Sequence, residues 1–294
     1  MFKSGYAAVI GRPNVGKSTF LNQIIGEKIS AISNKPQTTR NKIQMIYTAD
    51  DMQIVFLDTP GMQKPKNKLG DYMLSVSESS LGEADLIIYI VDCSDHIGKL
   101  DSYIIDELKK LKDSVPIILL INKIDEIEKD KLLPIIEMYS CLNIFSEIIP
   151  ISAITSDGIN LFLKKAKEIL PEGPMYYPDD MITDQSEKFI VGEMIREKAL
   201  INLDEEVPHG VAVSIDSFKE KSNIVEIDAT IFVEKESHKG IIIGKSGSML
   251  KKIGSSARYD LEHFLGKRVM LHLWVKVEKN WREKDSKVKY FGYK

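Results

Sequence analysis

The segment Gly11-Arg12-Pro13-Asn14-Val15-Gly16-Lys17-Ser18 places two glycines, a lysine and a hydroxyl at the spacing of a phosphate-binding loop. Glycines let successive backbone N–H groups converge on phosphate oxygens, and a helix starting at Lys17 adds the positive potential of its N-terminus. Lys17 supplies a mobile cation, while Ser18, with Thr19 beside it, offers a hydroxyl to Mg²⁺. Asp58-Thr59-Pro60-Gly61 carries a carboxylate able to hold Mg²⁺ through water and a glycine free to swing its N–H toward a γ-phosphate. In Asn122-Lys123-Ile124-Asp125 the last carboxylate can accept two N–H bonds from the N1 and exocyclic amine of guanine. Adenine has neither donor there and would leave the acid unpaired, so the preference is for a guanine nucleotide. Ser152-Ala153 can offer the Ala153 N–H to the guanine carbonyl.

These residues need a sheet edge to converge on. Apolar runs at Tyr6–Ile10, Ile54–Leu57, Leu86–Val91, Ile117–Ile121 and Ile148–Ile151 predict buried strands. Between them, Lys17–Gly26, Lys68–Leu81, Leu100–Leu111, Lys131–Leu142 and Gly158–Leu170 space Leu and Ile at three and four, as amphipathic helices do. The alternation predicts an α/β fold with a doubly wound sheet, and each motif then falls at a strand's carboxyl end, where such sheets bind ligands. The Pro- and Gly-rich stretch after Leu170 ends this domain. We divide the chain into a nucleotide-binding domain at 1–172, a linker at 173–186 and a second domain at 187–294.

The second domain predicts a helix at Glu187–Leu200, strands at Val207–Phe218 and Asn223–Val233, two Gly-punctuated helices and a strand at Arg268–Glu278. That α-β-β-α-α-β order describes a small α+β layer domain. Within it, Ile243-Gly244-Lys245-Ser246-Gly247 precedes an amphipathic helix at Met249–Leu265 that carries Lys251 and Lys252. Two side-chain-free turns between helices let a nucleic-acid backbone approach closely, with lysines and helix N-terminal N–H groups facing phosphate. The net charge of −3 hides a segregation: −4 over residues 1–179, −8 over 180–234 and +9 over 235–294. A basic block of this kind fits a phosphate-rich partner, whereas a solvated basic face would also account for any single lysine.

The four nucleotide motifs, in this order, resemble the translation-factor-like class of GTPases over residues 5–170, and the second domain resembles the type II KH module. Together, over essentially the whole chain, they are similar to the TrmE-Era-EngA-like family, in the branch that carries a C-terminal KH domain. The resemblance implies a P-loop GTPase using GTP/GDP and Mg²⁺ at Gly11, Arg12, Pro13, Asn14, Val15, Gly16, Lys17, Ser18, Thr19, Asp58, Thr59, Pro60, Gly61, Asn122, Lys123, Asp125, Ser152 and Ala153. Metal contacts would come from Ser18, Thr39 and Asp58, and the hydrolytic step would draw on Lys17, Thr39 and Gly61. Thr39 is the better candidate in the nucleotide-sensing segment Gln37-Thr38-Thr39-Arg40, with Thr38 the alternative. Met62 stands where Ras-like enzymes have the glutamine that orients water. A thioether cannot do this, so hydrolysis would need a partner, reorganised backbone or a cation; Asn14 could hold K⁺, or be a plain loop residue. The implied partners are 16S rRNA and the 30S ribosomal subunit, for a monomer in the cytoplasm with peripheral association at the inner membrane face. RNA contacts would come from Ile243, Gly244, Lys245, Ser246, Gly247, Lys251 and Lys252. The competing reading is a membrane-associated signalling or cell-cycle GTPase whose KH-like domain binds protein or lipid.

Other features point to few further classes. With 294 residues, 43% hydrophobic and 28% charged, the chain can bury a real core in two domains. No apolar run is long enough to span a bilayer. Cys93 and Cys141 show no metal or disulfide spacing and read as packing residues, and five dispersed histidines show no ligand pattern. Trp274 and Trp281 could be core or stacking residues.

Overall fold

The computed structural model describes residues 1–33, 35 and 37–293. The chain folds into two compact units. The first comprises Met1–Ser30, Thr39–Lys64 and Met73–Asp184; the second comprises Ala31–Thr38, Pro65–Tyr72 and Gln185–Lys294.

The first unit is a six-stranded sheet built from β1 (Lys3–Ile10), β2 (Ile43–Ala49), β3 (Met52–Asp58), β4 (Leu86–Asp92), β5 (Ile117–Asn122) and β6 (Glu147–Ile151), in the order β2-β3-β1-β4-β5-β6. Only β2 is antiparallel to its neighbour. All seven residues of β3 and all six of β5 are buried, as strands sandwiched between helices must be. The helices are α1 (Lys17–Ile25), α2 (Lys68–Gly82), which starts in segment 65–72 and continues into the first unit, α3 (Lys99–Lys109), α4 (Leu132–Ser140) and α5 (Ile159–Ile169). On α3, Ile104, Ile105 and Leu108 join Tyr89 and Leu119 of the sheet in one core cluster. β1 pairs with β3 on one side and β4 on the other, so the order reverses at its carboxyl end and a crevice opens there. The register sets Val9 against Asp58, and Asn122 against both Asp92 and Ile151, so the motif-bearing strand ends share one edge.

The strand β2 has no counterpart among the expected runs. Its residues Ile43, Met45 and Ile46 are buried, while Gln44, Tyr47, Thr48 and Ala49 are partly exposed, a pattern too mixed to announce an inner strand. Residues 171–184 cluster with the first unit and are hydrogen-bonded to it. The Ser4 N–H donates to the Pro171 carbonyl at 3.1 Å and the Ile46 N–H to the Ile182 carbonyl at 2.9 Å. Buried Gln53 accepts from the Tyr176 and Tyr177 N–H groups at 2.8 and 3.0 Å. A stretch without hydrophobic period is thus held by backbone hydrogen bonds together with a few side chains, among them Tyr176 stacked on Tyr6.

The second unit contains α6 (Glu187–Asn202), β7 (Ala212–Glu220), β8 (Ile224–Val233), α7 (Glu236–Ile243), α8 (Ser248–Leu265), β9 (Arg268–Val277) and a short α9 (Asp285–Tyr290). The Ser186 side chain caps α6 by accepting from the Phe189 N–H at 3.3 Å. The sheet order is β7-β8-β9, antiparallel then parallel, and the parallel pair requires the crossover that α7 and α8 provide. Ile253, Ala257 and Leu261 recur every four residues on the buried stripe of α8, while Val225, Ile227, Ala229, Ile231 and Val233 alternate along β8. Trp281 is fully buried: its indole N–H donates to the Gly210 carbonyl at 2.9 Å and its ring stacks on Tyr293. Trp274 stays half exposed on β9. Cys93 is partly buried, but Cys141 is exposed, so the packing expectation fails at the second position, where α4 ends and the chain turns outward.

Candidate functional site

The phosphate-loop motif spans the gap between β1 and α1. Gly11 and Gly16 have φ of +153° and +96°. A Cβ on Gly16 would lie 2.2 Å from Asn122 Nδ2, and one on Gly11 would lie 2.3 Å from the Ile90 carbonyl oxygen, so both positions require glycine. Gly16 caps α1 without a side-chain hydrogen bond from the described residues, leaving the first-turn N–H groups for an anion. Lys17 is buried, and its ammonium donates to the Gly11 and Arg12 carbonyls at 3.0 and 3.1 Å. Burial pulls its pKa down to about 8, against the opposing charge of Asp58. A buried cation held by neutral carbonyls, beside an uncapped helix N-terminus, fits an incoming phosphate.

The residues expected to hold Mg²⁺ come together in part. Ser18 and Thr39 place their hydroxyl oxygens 3.2 Å apart. Asp58 ends β3, is fully buried, and accepts from the Ser30 hydroxyl at 2.5 Å. Hydroxyls, one carboxylate and phosphate oxygens suit a hard octahedral cation, and this donor set differs from a cluster of acids or histidines, none of which occurs among the described residues. The Thr38 hydroxyl, the alternative candidate, donates to the Lys35 carbonyl at 2.6 Å. Nearby, the Thr59 hydroxyl donates to the Val9 carbonyl at 2.8 Å, and Pro60 accepts from the Ser77 hydroxyl at 2.9 Å, fixing the start of the turn. A Cβ on Gly61 would come within 3.2 Å of Pro13, so the two loops touch at that glycine. Met62 is buried in the core cluster with Ile10 and Ile87 and is removed from any role toward water. Asn14 is exposed in the left-handed region, with φ of 67°.

Asn122 is a strut between motifs. Its amide donates to the Val15 carbonyl at 2.7 Å and its oxygen accepts from the Ala153 N–H at 2.9 Å. The N–H assigned to the guanine carbonyl is therefore already engaged, and a base would have to share or displace that bond. Ser152 is buried and accepts from the Thr155 N–H at 3.2 Å, shaping the same turn. Lys123 sits at φ of 72°, which turns the chain so that Asp125 lies exposed in a short 3-10 turn. Arg12 is directed to acids: its guanidinium pairs with Asp92 and, at 3.1 Å, with Asp101, which also accepts from Tyr89 at 2.8 Å. Those carboxylates outweigh burial and hold Arg12 charged. Asp92 and Asp101 escaped sequence reasoning, although Asp92 at the carboxyl end of β4 was a signal.

In the second unit, Gly244-Lys245-Ser246-Gly247 joins α7 to α8. Gly244, Ser246 and Gly247 have φ of 71°, 51° and 79°. A Cβ on Gly244 would lie 2.8 Å from the Met249 backbone nitrogen. Lys245, Ser246, Lys251 and Lys252 are exposed and Ile243 is half-buried. A groove of about 650 Å³ runs between α8 and β9, lined by Gly247, Leu250, Lys251, Gly254, Arg258 and Leu273 among others. An apolar floor with cationic rims suits unstacked bases with phosphates alongside. The same unit contains segment 31–38, whose Ile32 N–H donates to Glu197 at 2.8 Å and whose Thr38 carbonyl accepts from the buried Arg196.

This combination of loop, sheet edge and grooved helical module defines a P-loop GTPase carrying a KH domain. Family models agree, matching residues 6–123 to the 50S ribosome-binding GTPase family and residues 206–282 to the KH domain. The chain is 55% identical over its full length to GTPase Era of Ruminiclostridium cellulolyticum, of which 98% is covered, and 52% identical to that of Clostridioides difficile, of which 99% is covered. It belongs to the Era family of GTPases. Among solved structures, Era in complex with MgGDPNP and nucleotides 1506–1542 of 16S ribosomal RNA superposes with a TM-score of 0.95 at 41% identity, covering 100% of this chain and 99% of that one. A variant of Aquifex aeolicus Era bound to GDP and aluminium fluoride gives 0.94 at 41% identity, covering 99% of each chain. The protein is a GTP hydrolase that uses GTP, GDP and Mg²⁺. No described helix is long and apolar enough to cross a membrane.

Proposed function

We propose that this GTPase acts in the assembly of the small (30S) ribosomal subunit, binding 16S rRNA through its KH domain while its nucleotide state times the event. The observation that carries the reading is the pairing, in one chain, of a phosphate loop whose lysine is buried with an open groove beside Gly247 that is lined by Lys251, Arg258 and Arg268. The small subunit is favoured because the RNA in the structural relative's complex is 16S.

At the nucleotide site, Lys17 exchanges its loop carbonyls for phosphate oxygens, and the α1 N-terminus supplies further N–H donors. Ser18, Thr39 and Asp58 hold Mg²⁺, which when bound neutralises charge on the phosphate oxygens. Asp125 selects guanine. Gly61 offers its N–H toward the γ-phosphate, and with Met62 in the core, hydrolysis would draw on a partner, on reorganised sensing-segment backbone, or on a cation such as K⁺ held by Asn14, which would neutralise charge between the β- and γ-phosphates. Segment 31–38, held by Arg196 and Glu197 within the second unit, is the means by which hydrolysis would reach the RNA-binding module. The protein works as a cytoplasmic monomer, and its +9 segment also suits peripheral contact with the inner membrane face.

The test is binding of single-stranded RNA ending in the 16S 3′ sequence, set against anionic phospholipid vesicles, for the natural chain and for Gly244→Asp and Gly247→Asp. Sequence-dependent RNA binding that both variants weaken by about tenfold or more supports the proposal. Binding to vesicles alone, with no RNA preference, overturns it in favour of a membrane signalling GTPase.

A further inference from the structure

A buried polar chain runs from α1 to the carboxylate assigned to Mg²⁺. Ser18 and Asn22 stand four residues apart on α1 and so share a face of that helix. Asn22 is 9% exposed, an unusual burial for an asparagine, and its amide is engaged through both nitrogen and oxygen. Its Nδ2 donates to the Ser30 carbonyl at 2.8 Å, and its Oδ1 accepts from the Ile29 and Ser30 N–H groups at 3.1 and 2.9 Å. The backbone on both sides of the Ser30 Cα is thereby clamped. The hydroxyl of Ser30, itself 1% exposed, donates to Asp58 Oδ2 at 2.5 Å, a charge-assisted bond to a wholly buried carboxylate.

We propose that Ser30 and Asn22 are positioning residues for the metal site: they hold the Asp58 carboxylate in one rotamer, matched to the hydroxyls of Ser18 and Thr39. One helix would then set two of the three metal-holding side chains, Ser18 directly and Asp58 through the chain Asn22–Ser30. Neither residue belongs to a recognised nucleotide motif. The physical need for them follows from Lys17, whose ammonium feels the charge of Asp58. Loss of the Ser30 donor would free the carboxylate to rotate toward that ammonium, which the phosphate loop needs for phosphate.

The inference rests on the assignment of Mg²⁺ to Ser18, Thr39 and Asp58, and the experiment separates the two. The dissociation rate of a fluorescent GDP analogue is followed in EDTA and across a Mg²⁺ titration, for the natural chain, Ser30→Ala, Ser30→Thr and Asn22→Asp. Loss of the hydroxyl should raise the Mg²⁺ needed for half-maximal retention of GDP by about tenfold, the order expected for one hydrogen bond to a buried charge. The rate in EDTA should stay at the natural value, which a general loosening of the fold would not allow. Ser30→Thr keeps a hydroxyl and should restore the natural Mg²⁺ requirement. Asn22→Asp, nearly isosteric, should shift it in the same direction as Ser30→Ala by a smaller factor, and it carries the test if Ser30→Ala does not fold. A natural chain that responds to Mg²⁺ while Ser30→Ala and Asn22→Asp follow it at every concentration overturns this inference alone. An equal change in EDTA and in Mg²⁺ also overturns it, and a natural chain indifferent to Mg²⁺ overturns the metal assignment together with it.

Discussion

Two glycine-bracketed turns open onto helices in this molecule, one before α1 and one before α8, and they would hold phosphate in opposite ways. Before α1, Lys17 is buried, its hydrogen bonds run to loop carbonyls, and the flanking glycines press against Asn122 and Ile90. Before α8, Lys245 is exposed, and a Cβ on Gly247 would meet nothing within 4 Å. The cation of the first turn is buried and held in place, so its charge acts at low effective dielectric on one ligand, as transfer chemistry requires. The second turn is exposed, which suits a polymer whose phosphates are held by many weak, salt-screened contacts. A glycine-bracketed turn before a helix can thus suit catalysis or tethering according to how deeply its cation is buried.

Crossed substitutions break the comparison most directly. Lys17→Ala should weaken GTP binding by more than a hundredfold, roughly 3 kcal/mol for a buried charge contact, and leave RNA affinity in the absence of nucleotide unchanged. Gly244→Asp should do the reverse, and calorimetry with each ligand reads both effects. Next in size, Asp125→Asn should lower GTP affinity by roughly ten- to a hundredfold and favour xanthosine triphosphate, whose ring carbonyl accepts from the new amide. Retained GTP preference in competition binding would remove Asp125 from base selection. If Asn14 holds K⁺, turnover at matched ionic strength should be about tenfold faster in KCl than in NaCl, measured by phosphate release.

The smallest effect sharpens the contrast in burial. Lys17 titrates near pH 8 in the folded chain, below its ordinary 10.5. Between those values the unfolded chain binds more protons, so this group favours folding progressively as pH rises through the window. Phosphate restores the charge, so Lys17 should contribute about half a proton of uptake at pH 8, a contribution that Lys17→Ala removes. Calorimetry in two buffers of different ionisation enthalpy measures the uptake. For RNA, the corresponding readout is a steep loss of affinity with salt.

The contiguous motifs were legible without coordinates because each packs its chemistry into a few neighbouring residues. Gly11 to Ser18, Asp58 to Gly61, Asn122 to Asp125 and Gly244 to Gly247 depend on local backbone freedom and on the strand or helix beside them. The periodic runs were legible for the same reason, since burial on one face repeats every two or about four residues. Partners far apart along the chain were not. Asn122 reaching Val15 and Ala153, Arg12 pairing with Asp92 and Asp101, and Ser30 bonded to Asp58 each join elements whose approach is set by sheet order. The antiparallel β2, the burial of Trp281 and the placement of residues 31–38 and 65–72 in the second unit belong to the same kind. Residue type and spacing determined which ligand chemistry this chain could perform. Tertiary packing decided which polar groups stand by those ligands and which are already spent on one another, because a hydrogen bond depends on distance in space and is blind to distance in sequence.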